Sequence, residues 1–429
     1  MKIVLIGAGS ASFGRGQVVD VLSAAELQGK HVELCLVDVR QAALDTMTRF
    51  AERVKAHIGS DVIVTATGNR RAALSGADYV MLAVARERAK LWEQDFRVPL
   101  AYGFRHCLGE NGGPGAVFHA LRSFELIIPI CHDMEELCPN AWLFNFTNPE
   151  SRVLHAMKHL TNVKGAGFCH GVFTVLEYLT RILNRPLDDL EVVSAGINHF
   201  YCVLRLCDRN TGADLLPHVI QRAASDRNAP PLFRKIAEVF GVITFPSDDH
   251  IGEYLSFGTE FSGVKWPYGW ESKPVPPVPP TGGPPALEDY ASGKVPLDAE
   301  ILRTSGELTV PAICDMELDR KSSRPAVNVL NTEAYVENLP RTAVVEVPAT
   351  IGREGITPFH VGAIPEPFAS YMRAQTTIVE LVTEAYRTKS RRLLLQALLL
   401  DPVVNSVSAA ERMLDDMLSL QRDYLPRFD

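Results

Sequence analysis

Three features are missing from this sequence, and each absence narrows the reading. There is no long apolar run. The longest candidate, Leu126 to Cys131, is six residues broken by Pro129, against the ~20 that a membrane span needs. The opening run Ile3 to Ile6 is four residues and stops at a glycine turn, whereas a secretory segment carries roughly 7–15 apolar residues. No membrane partner is expected, and the expected location is the cytoplasm. Cysteine is sparse, with eight in 429 residues and none in C-x-x-C spacing, which excludes a disulfide scaffold. Basic charge is not in excess: 43 Lys and Arg stand against 51 Asp and Glu, for a net charge of -8. A surface built to attract nucleic acid is thereby excluded.

What is present is ordinary globular material, 46% hydrophobic and 22% charged, in a chain long enough for two or three lobes. Apolar runs at Lys2–Gly7, His31–Val37, Val62–Ala66, Tyr79–Val84, Ala141–Phe146 and Val163–Phe168 read as strands. Helical periodicity lies between them at Gly14–Leu27, Gln41–Ile58 and Phe118–Leu137. This alternation predicts an α/β fold with a Rossmann-like doubly wound sheet. From about Ser194 the pattern changes to longer, antiparallel-looking runs such as Ala195–Leu206, followed by C-terminal helices at Ala374–Leu400 and Ala409–Tyr424. The expected division is a nucleotide-binding domain over 1–193 and an α+β catalytic and oligomerisation domain over 194–429. The Pro/Gly-rich stretch Pro274–Pro285 is expected to form a surface loop or rim.

The turn after the first strand reads Gly7-Ala8-Gly9-Ser10-Ala11-Ser12-Phe13. Glycine at 7 permits a tight turn, glycine at 9 lets backbone approach a pyrophosphate, and the following helix start faces the anion. Serine stands at position 12, where the usual fingerprint has its third glycine. Asp38 closes the second strand, where an acid accepts from the adenosine ribose and favours NAD over NADP, although Arg40 follows closely. The turn Thr147-Asn148-Pro149-Glu150 ends another strand, which is where ligands sit in such folds.

Two further segments suggest a metal centre. Cys169 and His170 follow a strand in Gly167-Phe168-Cys169-His170-Gly171, and Asn198-His199 lies 30 residues beyond the cysteine. A thiolate and an imidazole can share a divalent ion and leave positions open for substrate oxygens. By spacing alone the signal is weak, because a cysteine near a strand end is more often core and a single histidine more often structurally satisfied.

Taken together, the opening GAGSASF, the turn FTNPES at 146–151, Cys-His-Gly at 169–171 and Asn-His at 198–199 make the chain resemble glycoside hydrolase family 4. The order and spacing of all four pieces fit, over most of the chain. The resemblance implies a route distinct from hydrolysis by paired carboxylates. Bound NAD takes hydride from carbon 3 of the sugar, a base removes the acidified carbon-2 proton, the glycosidic oxygen leaves, water adds, and the hydride returns. It implies Cys169 and His199 as ligands of the metal, usually Mn²⁺, acting as a Lewis acid. It also places Asn148 beside the sugar and nicotinamide and has His170 assist the leaving group. The base falls to Tyr254 or Asp249, with Asp248 behind them, in Asp248-Asp249-His250-Ile251-Gly252-Glu253-Tyr254; His250 joins the substrate set. Homodimers or homotetramers are usual in the family.

The sequence departs from the resemblance in two places. Asn-His continues as Phe200-Tyr201-Cys202 rather than through a Trp-containing stretch. The usually glycine-bearing loop after Tyr79–Val84 reads Ala85-Arg86-Glu87-Arg88-Ala89-Lys90. Its cations form either a solvated helix face or a grip on an anionic sugar. Cys-His separates the chain from the phospho-sugar members, so an α-glycoside of an anionic sugar, uronide or sulfoquinovoside, ranks first. A neutral α-galactoside or α-glucoside ranks second. The Gly-rich segment Glu110-Asn111-Gly112-Gly113-Pro114-Gly115 is expected to be a flexible loop at the substrate pocket, with Glu110 and Asn111 as its polar groups. Outside this mechanism stand a hydroxy-acid dehydrogenase and a redox-sensing nucleotide-binding protein, neither of which needs a thiolate-held metal.

Overall fold

The structure, a computed structural model, describes residues 1–10, 13–264, 266 and 286–429; the Pro274–Pro285 segment lies outside the described residues. The strands are β1 (Lys2–Ile6), β2 (Glu33–Val37), β3 (Ile63–Thr67), β4 (Tyr79–Leu82), β5 (Trp142–Asn145), β6 (Lys164–Gly167), β7 (Leu190–Ile197), β8 (Phe200–Asp208), β9 (Ser322–Leu330), β10 (Val344–Gly352) and β11 (Gly355–Pro358). Neighbours in the sheet run β3-β2-β1-β4-β5-β6-β9-β10-β7-β8, with β11 on β10. The first six pair in parallel in the 3-2-1-4-5-6 order of a doubly wound nucleotide fold. The pairings from β6 to β9 onward are antiparallel.

The run KIVLI of β1 is continuously apolar because both faces of the strand are covered. Ile3 and Leu5 pack with helices Phe13–Ser23 and Gln41–Ile58 on one side. Val4 and Ile6 pack with helices Gly115–Leu137, Glu150–Leu160 and the C-terminal helices on the other. Two expectations change in detail. Ala195–Leu206 is not one run but the hairpin of β7 and β8, paired Ile197 to Phe200, with Asn198 and His199 as its turn. The turn turns left-handed at His199, φ 63°. The helix expected over Ala374–Leu400 is two helices, Glu366–Thr388 and Arg391–Leu400. Lys389 adopts a left-handed φ and the Ser390 hydroxyl accepts from the Leu393 N–H to start the second helix, a local side-chain cap that outweighs uninterrupted periodicity.

The C-terminal helix Val407–Leu420 is tied to the nucleotide half through a buried ionic group. Arg122 donates from both terminal nitrogens to the Asp95 carboxylate, and from Nη1 to Gln421 Oε1 at 2.6 Å. The Gln421 Nε2 group donates to Asp95 Oδ1 at 3.0 Å. Asp95 is wholly buried and Arg122 is 6% exposed. Removing one partner of such a pair strands a charge, so Arg122→Met is expected to cost about 3–5 kcal/mol in urea unfolding, and the double change Arg122→Met with Asp95→Leu to recover most of it.

Candidate active site

The carboxyl ends of β1, β4, β5 and β6 line up along one edge of the parallel sheet, and the four candidate segments begin there. After β1, Gly7 takes φ +91°, and a Cβ on it would meet Ala83 O at 2.0 Å; a side chain cannot occupy that position. The Gly9 N–H donates to Asp38 Oδ2 at 2.8 Å, and the Arg40 N–H to Asp38 Oδ1 at 2.9 Å. Asp38 therefore shapes the turn as well as facing it. Phe13 begins the first helix, and its N–H donates to Ser10 Oγ at 3.2 Å. Ala11 and Ser12 lie outside the described residues. The close helix packing that a third glycine provides falls to Gly14, two residues later than expected: a Cβ there would sit 2.1 Å from Ala8 O.

After β5, Asn145 and Thr147 hold the turn by side-chain contacts. Thr147 N–H donates to Asn145 Oδ1 at 3.0 Å, and Val84 N–H to Thr147 Oγ1 at 3.0 Å. Ser123 Oγ donates to the Asn148 carbonyl at 2.8 Å. After β6, the cysteine segment joins the same edge through ring contacts: Phe13 to Phe146 at 4.7 Å and Phe146 to Phe168 at 6.1 Å between centroids. The nucleotide turn, the Asn148 turn and Cys169 thus share one wall.

His199 arrives on that wall from the β7–β8 hairpin. Its Nε2 lies 3.4 Å from Cys169 Sγ. Its Nδ1 lies 3.4 Å from the Asn111 carboxamide. The hairpin is anchored from beneath: Glu346 on β10 accepts from Asn198 Nδ2 at 3.0 Å and from Asn328 Nδ2 at 3.1 Å. Burial pushes the Cys169 thiol up to about 12, reinforced by the nearby Glu346 charge. Burial, and the rings of His250 and His170, hold His199 well below the usual imidazole range, in its neutral form. Cys169 and His199 are two donors; among the described residues no third His, Cys, Asp or Glu side chain completes a cluster.

The acidic segment Asp248–Tyr254 forms a short helix, Asp248–Gly252, and divides its side chains among different tasks. Asp248 accepts the Leu232 and Phe233 N–H groups at 2.9 and 3.0 Å, which caps helix Pro231–Phe240. Asp249 Oδ1 accepts from Ser247 Oγ at 2.6 Å and from the His250 N–H at 2.9 Å, and contacts His250 Nδ1 at 2.9 Å. The His250 contact is foremost in holding the Asp249 carboxyl far below its ordinary value. The His250 ring packs edge-on against His199 at 4.8 Å. Tyr254 is 4% exposed. Its hydroxyl donates to the Asn198 carbonyl at 3.1 Å and its ring stacks on Phe200 at 5.0 Å. Phe200, one of the departures from the family pattern, is thus what fixes the Tyr254 ring. Burial and the Glu253 charge push its phenol well above the usual range.

The Gly-rich segment is pinned rather than flexible. Glu110 and Asn111 are 5% and 6% exposed, and the Glu253 carboxylate accepts both of their N–H groups, at 2.6 and 3.2 Å. Gly112 is required by close passage, since a Cβ would lie 2.6 Å from Glu253 O. Arg88 donates to Glu110 Oε1 at 3.0 Å and lies 4.8 Å over the Trp92 ring. Arg86 and Arg88 line a cleft with Trp92, His119 and Ser123. His170 is exposed, and its Nδ1 sits 3.0 Å from Glu307 Oε1, which raises the imidazole above its ordinary value. Sequence reasoning missed Gly14, Glu253, Glu307, Glu346 and Arg152, whose surroundings are described below. Arg152 carried a signal: a cation in the first turn of helix Glu150–Leu160 opposes the helix dipole.

Comparison with known proteins is consistent across the whole chain. Residues 2–185 match the model of the family 4 glycosyl hydrolases, and residues 194–404 match that of the family 4 glycosyl hydrolase C-terminal domain. An alpha-glucosidase of Erwinia rhapontici is 31% identical over 99% of this chain and 98% of its own length. An alpha-galacturonidase of Lachnoclostridium phytofermentans is 27% identical over 100% of this chain and 97% of its own. A 6-phospho-alpha-glucosidase from gut microorganisms, solved in complex with NAD and Mn²⁺, superposes with TM-score 0.81 at 19% identity, covering 100% of this chain and 99% of that one. With both halves of the chain matched in order, the protein belongs to family 4 of the glycosyl hydrolases.

Proposed function

We propose that this protein cleaves α-glycosides with NAD and a divalent cation, usually Mn²⁺, and that its substrate is the α-glycoside of an anionic sugar, a uronide or a sulfoquinovoside. The observation that carries the mechanistic part is the approach of Cys169 Sγ to His199 Nε2, 3.4 Å, on the same sheet edge as Gly7 and Asn148. Cys169 and His199 would together hold a divalent cation, since a thiolate and a neutral imidazole are both donors to such an ion and here lie close enough to share one. Turned so that its oxygen accepts, the Asn111 carboxamide takes the His199 Nδ1–H and leaves Nε2 free for the metal. The glycine turn and the Asp38 carboxylate fit a dinucleotide, because each Asp38 oxygen retains a lone pair for a ribose hydroxyl.

When bound, the nicotinamide supplies a hydride acceptor and the cation a Lewis acid; this chain supplies positioning and proton transfer. Asn148, its carbonyl held by Ser123, presents its amide to the sugar. Tyr254, acting as its phenolate, takes the carbon-2 proton. Its hydroxyl is one hydrogen bond from the residue before His199, and it lines a pocket with Asn111 and Pro149. Asp249 suits the role poorly, since donors surround its carboxylate and keep it strongly ionised; it positions His250 instead. His170, steadied by Glu307, supplies a proton to the departing oxygen. The cationic rim of Arg86 and Arg88 and the likeness to an alpha-galacturonidase support an anionic sugar. The likeness to an alpha-glucosidase keeps neutral α-glucosides and α-galactosides as the second reading. We take the active form to be a homodimer or homotetramer.

The test is a panel of nitrophenyl α-glycosides, neutral, uronic and sulfonated, assayed with NAD, Mn²⁺ and thiol, and again with EDTA. Turnover lost in EDTA and restored by Mn²⁺ is expected; turnover indifferent to NAD and metal contradicts the proposal. In Mn²⁺ titrations followed by electron spin resonance, Cys169→Ser and His199→Ala should each weaken binding by more than ~100-fold, and Asn111→Ala by ~10–100-fold as an outer partner of the ligand. Tyr254→Phe should lower kcat by roughly 10²–10⁴-fold, the usual worth of a positioned base, whereas Asp249→Asn should lower it by less than Tyr254→Phe does. The reverse ranking transfers the role to Asp249.

A further inference from the structure

Arg152 is the largest fully buried side chain of the protein among the described residues. It is 2% exposed, and all three of its guanidinium nitrogens, Nε, Nη1 and Nη2, lack a hydrogen-bond partner. It lines a pocket with Asn111, Pro149, Ser151, Tyr254 and Gln375. Those neighbours belong to the site: Asn111 touches His199, Pro149 follows Asn148, and Tyr254 bonds to Asn198. An unpaired buried guanidinium carries a desolvation cost that is offset only by an anion or by several strong acceptors. Two acids act on Arg152 through space, Asp401 foremost and Glu253 after it; neither forms a hydrogen bond to the guanidinium, and Asp401 Oδ2 is itself buried and unpartnered. Glu150 faces elsewhere, toward Gly167 and Glu346. The location adds to the charge. Arg152 sits in the first turn of its helix, where the backbone N–H ends themselves favour an anion. Gln375 contributes a carboxamide whose oxygen is unpartnered; turned over, it offers a further donor.

We infer that Arg152 is the specificity-determining residue for the sugar's anionic substituent, a carboxylate or a sulfonate, which its planar fork grips in two-pronged fashion. This rests on the glycosidase reading above and relocates the anion's anchor. Arg88 is already paired with Glu110 and half-exposed, and an exposed arginine in water contributes little. The interior guanidinium discriminates because a neutral sugar leaves it desolvated and unpaired, the asymmetry that makes buried polar sites selective.

The experiment measures kcat/KM of wild type, Arg152→Met, Arg152→Lys, Arg86→Ala and Asp401→Asn on nitrophenyl α-glucuronide, α-galacturonide, α-sulfoquinovoside, α-glucoside and α-galactoside with NAD and Mn²⁺. Expected is a fall of about 100-fold or more for R152M on the preferred anionic substrate, with partial rescue in R152K and a smaller fall for R86A than for R152M. Whether the uronides or the sulfonated sugar suffer the loss identifies the anion. A thermal-shift arm with free glucuronate, galacturonate, sulfoquinovose and glucose needs no turnover: at least one anionic sugar should raise the wild-type midpoint, and R152K, the milder variant should R152M not fold, should lose most of that rise. Shifts by every anionic sugar that are equal in wild type and R152K overturn the inference. If wild type turns over only neutral sugars, or if R152M and D401N lower all substrates alike and lose stability together, Arg152 is a structural ion-pair partner and the inference is overturned while the glycosidase reading stands. If wild type hydrolyses no glycoside at all, both fall.

Discussion

The site depends on one constraint: a hairpin turn from the antiparallel half of the sheet must deliver an imidazole to a cysteine at the end of a parallel strand. Neither half supplies both side chains. The hairpin reaches that position because β10 and β9 carry the sheet across from β7 to β6, and because Glu346 on β10 holds the Asn198 side chain from below. His199 then takes a left-handed backbone conformation, which is costly for a residue with a side chain and persists because the surrounding hydrogen bonds over-determine it. A register slip of one residue in β7 against β8 would reverse which face its side chain takes and dismantle the pair.

From that contact the rest of the site follows outward. His199 needs a fixed ring orientation, and Asn111 provides it; Asn111 needs a fixed backbone, and the Glu253 carboxylate provides it by accepting two successive N–H groups. Tyr254, next to Glu253, is clamped between the Asn198 carbonyl and the Phe200 ring. The acidic segment is therefore a set of braces with the Tyr254 hydroxyl, itself bonded to the Asn198 carbonyl, at its end. The carboxylates of the segment are all engaged within the protein: Asp248 and Glu253 accept backbone N–H groups, and Asp249 accepts from Ser247 and contacts His250.

The nucleotide half was legible because its signals are local. A strand ending in Gly7, a helix, a second strand ending in Asp38 and the Asn148 turn lie within short windows whose periodicity reports burial. The exact glycine spacing was not legible: the close approach of the first helix to Ala8 is made by Gly14, and only the packed geometry shows it. The Cys169–His199 meeting was reachable through family resemblance and not through spacing, since 30 residues of chain and a hairpin separate the two. The Gly-rich segment at 110–115 misled for a related reason: its glycines serve close passage against Glu253 rather than mobility. The break at Lys389 was masked by apolar periodicity continuing on both sides of it. Arg152 was hidden by ordinary expectation, because an arginine in a helix reads as solvated until its neighbours are known.

The central claim is that the sugar's carbon-2 proton is removed and later replaced during glycoside cleavage. The most direct measurement is turnover of the preferred nitrophenyl glycoside by wild-type enzyme with NAD and Mn²⁺ in D₂O, followed by mass spectrometry and proton NMR of the released sugar. The account predicts one deuterium at carbon 2 of the product. A product carrying its original proton at that carbon, with full cleavage, would contradict it.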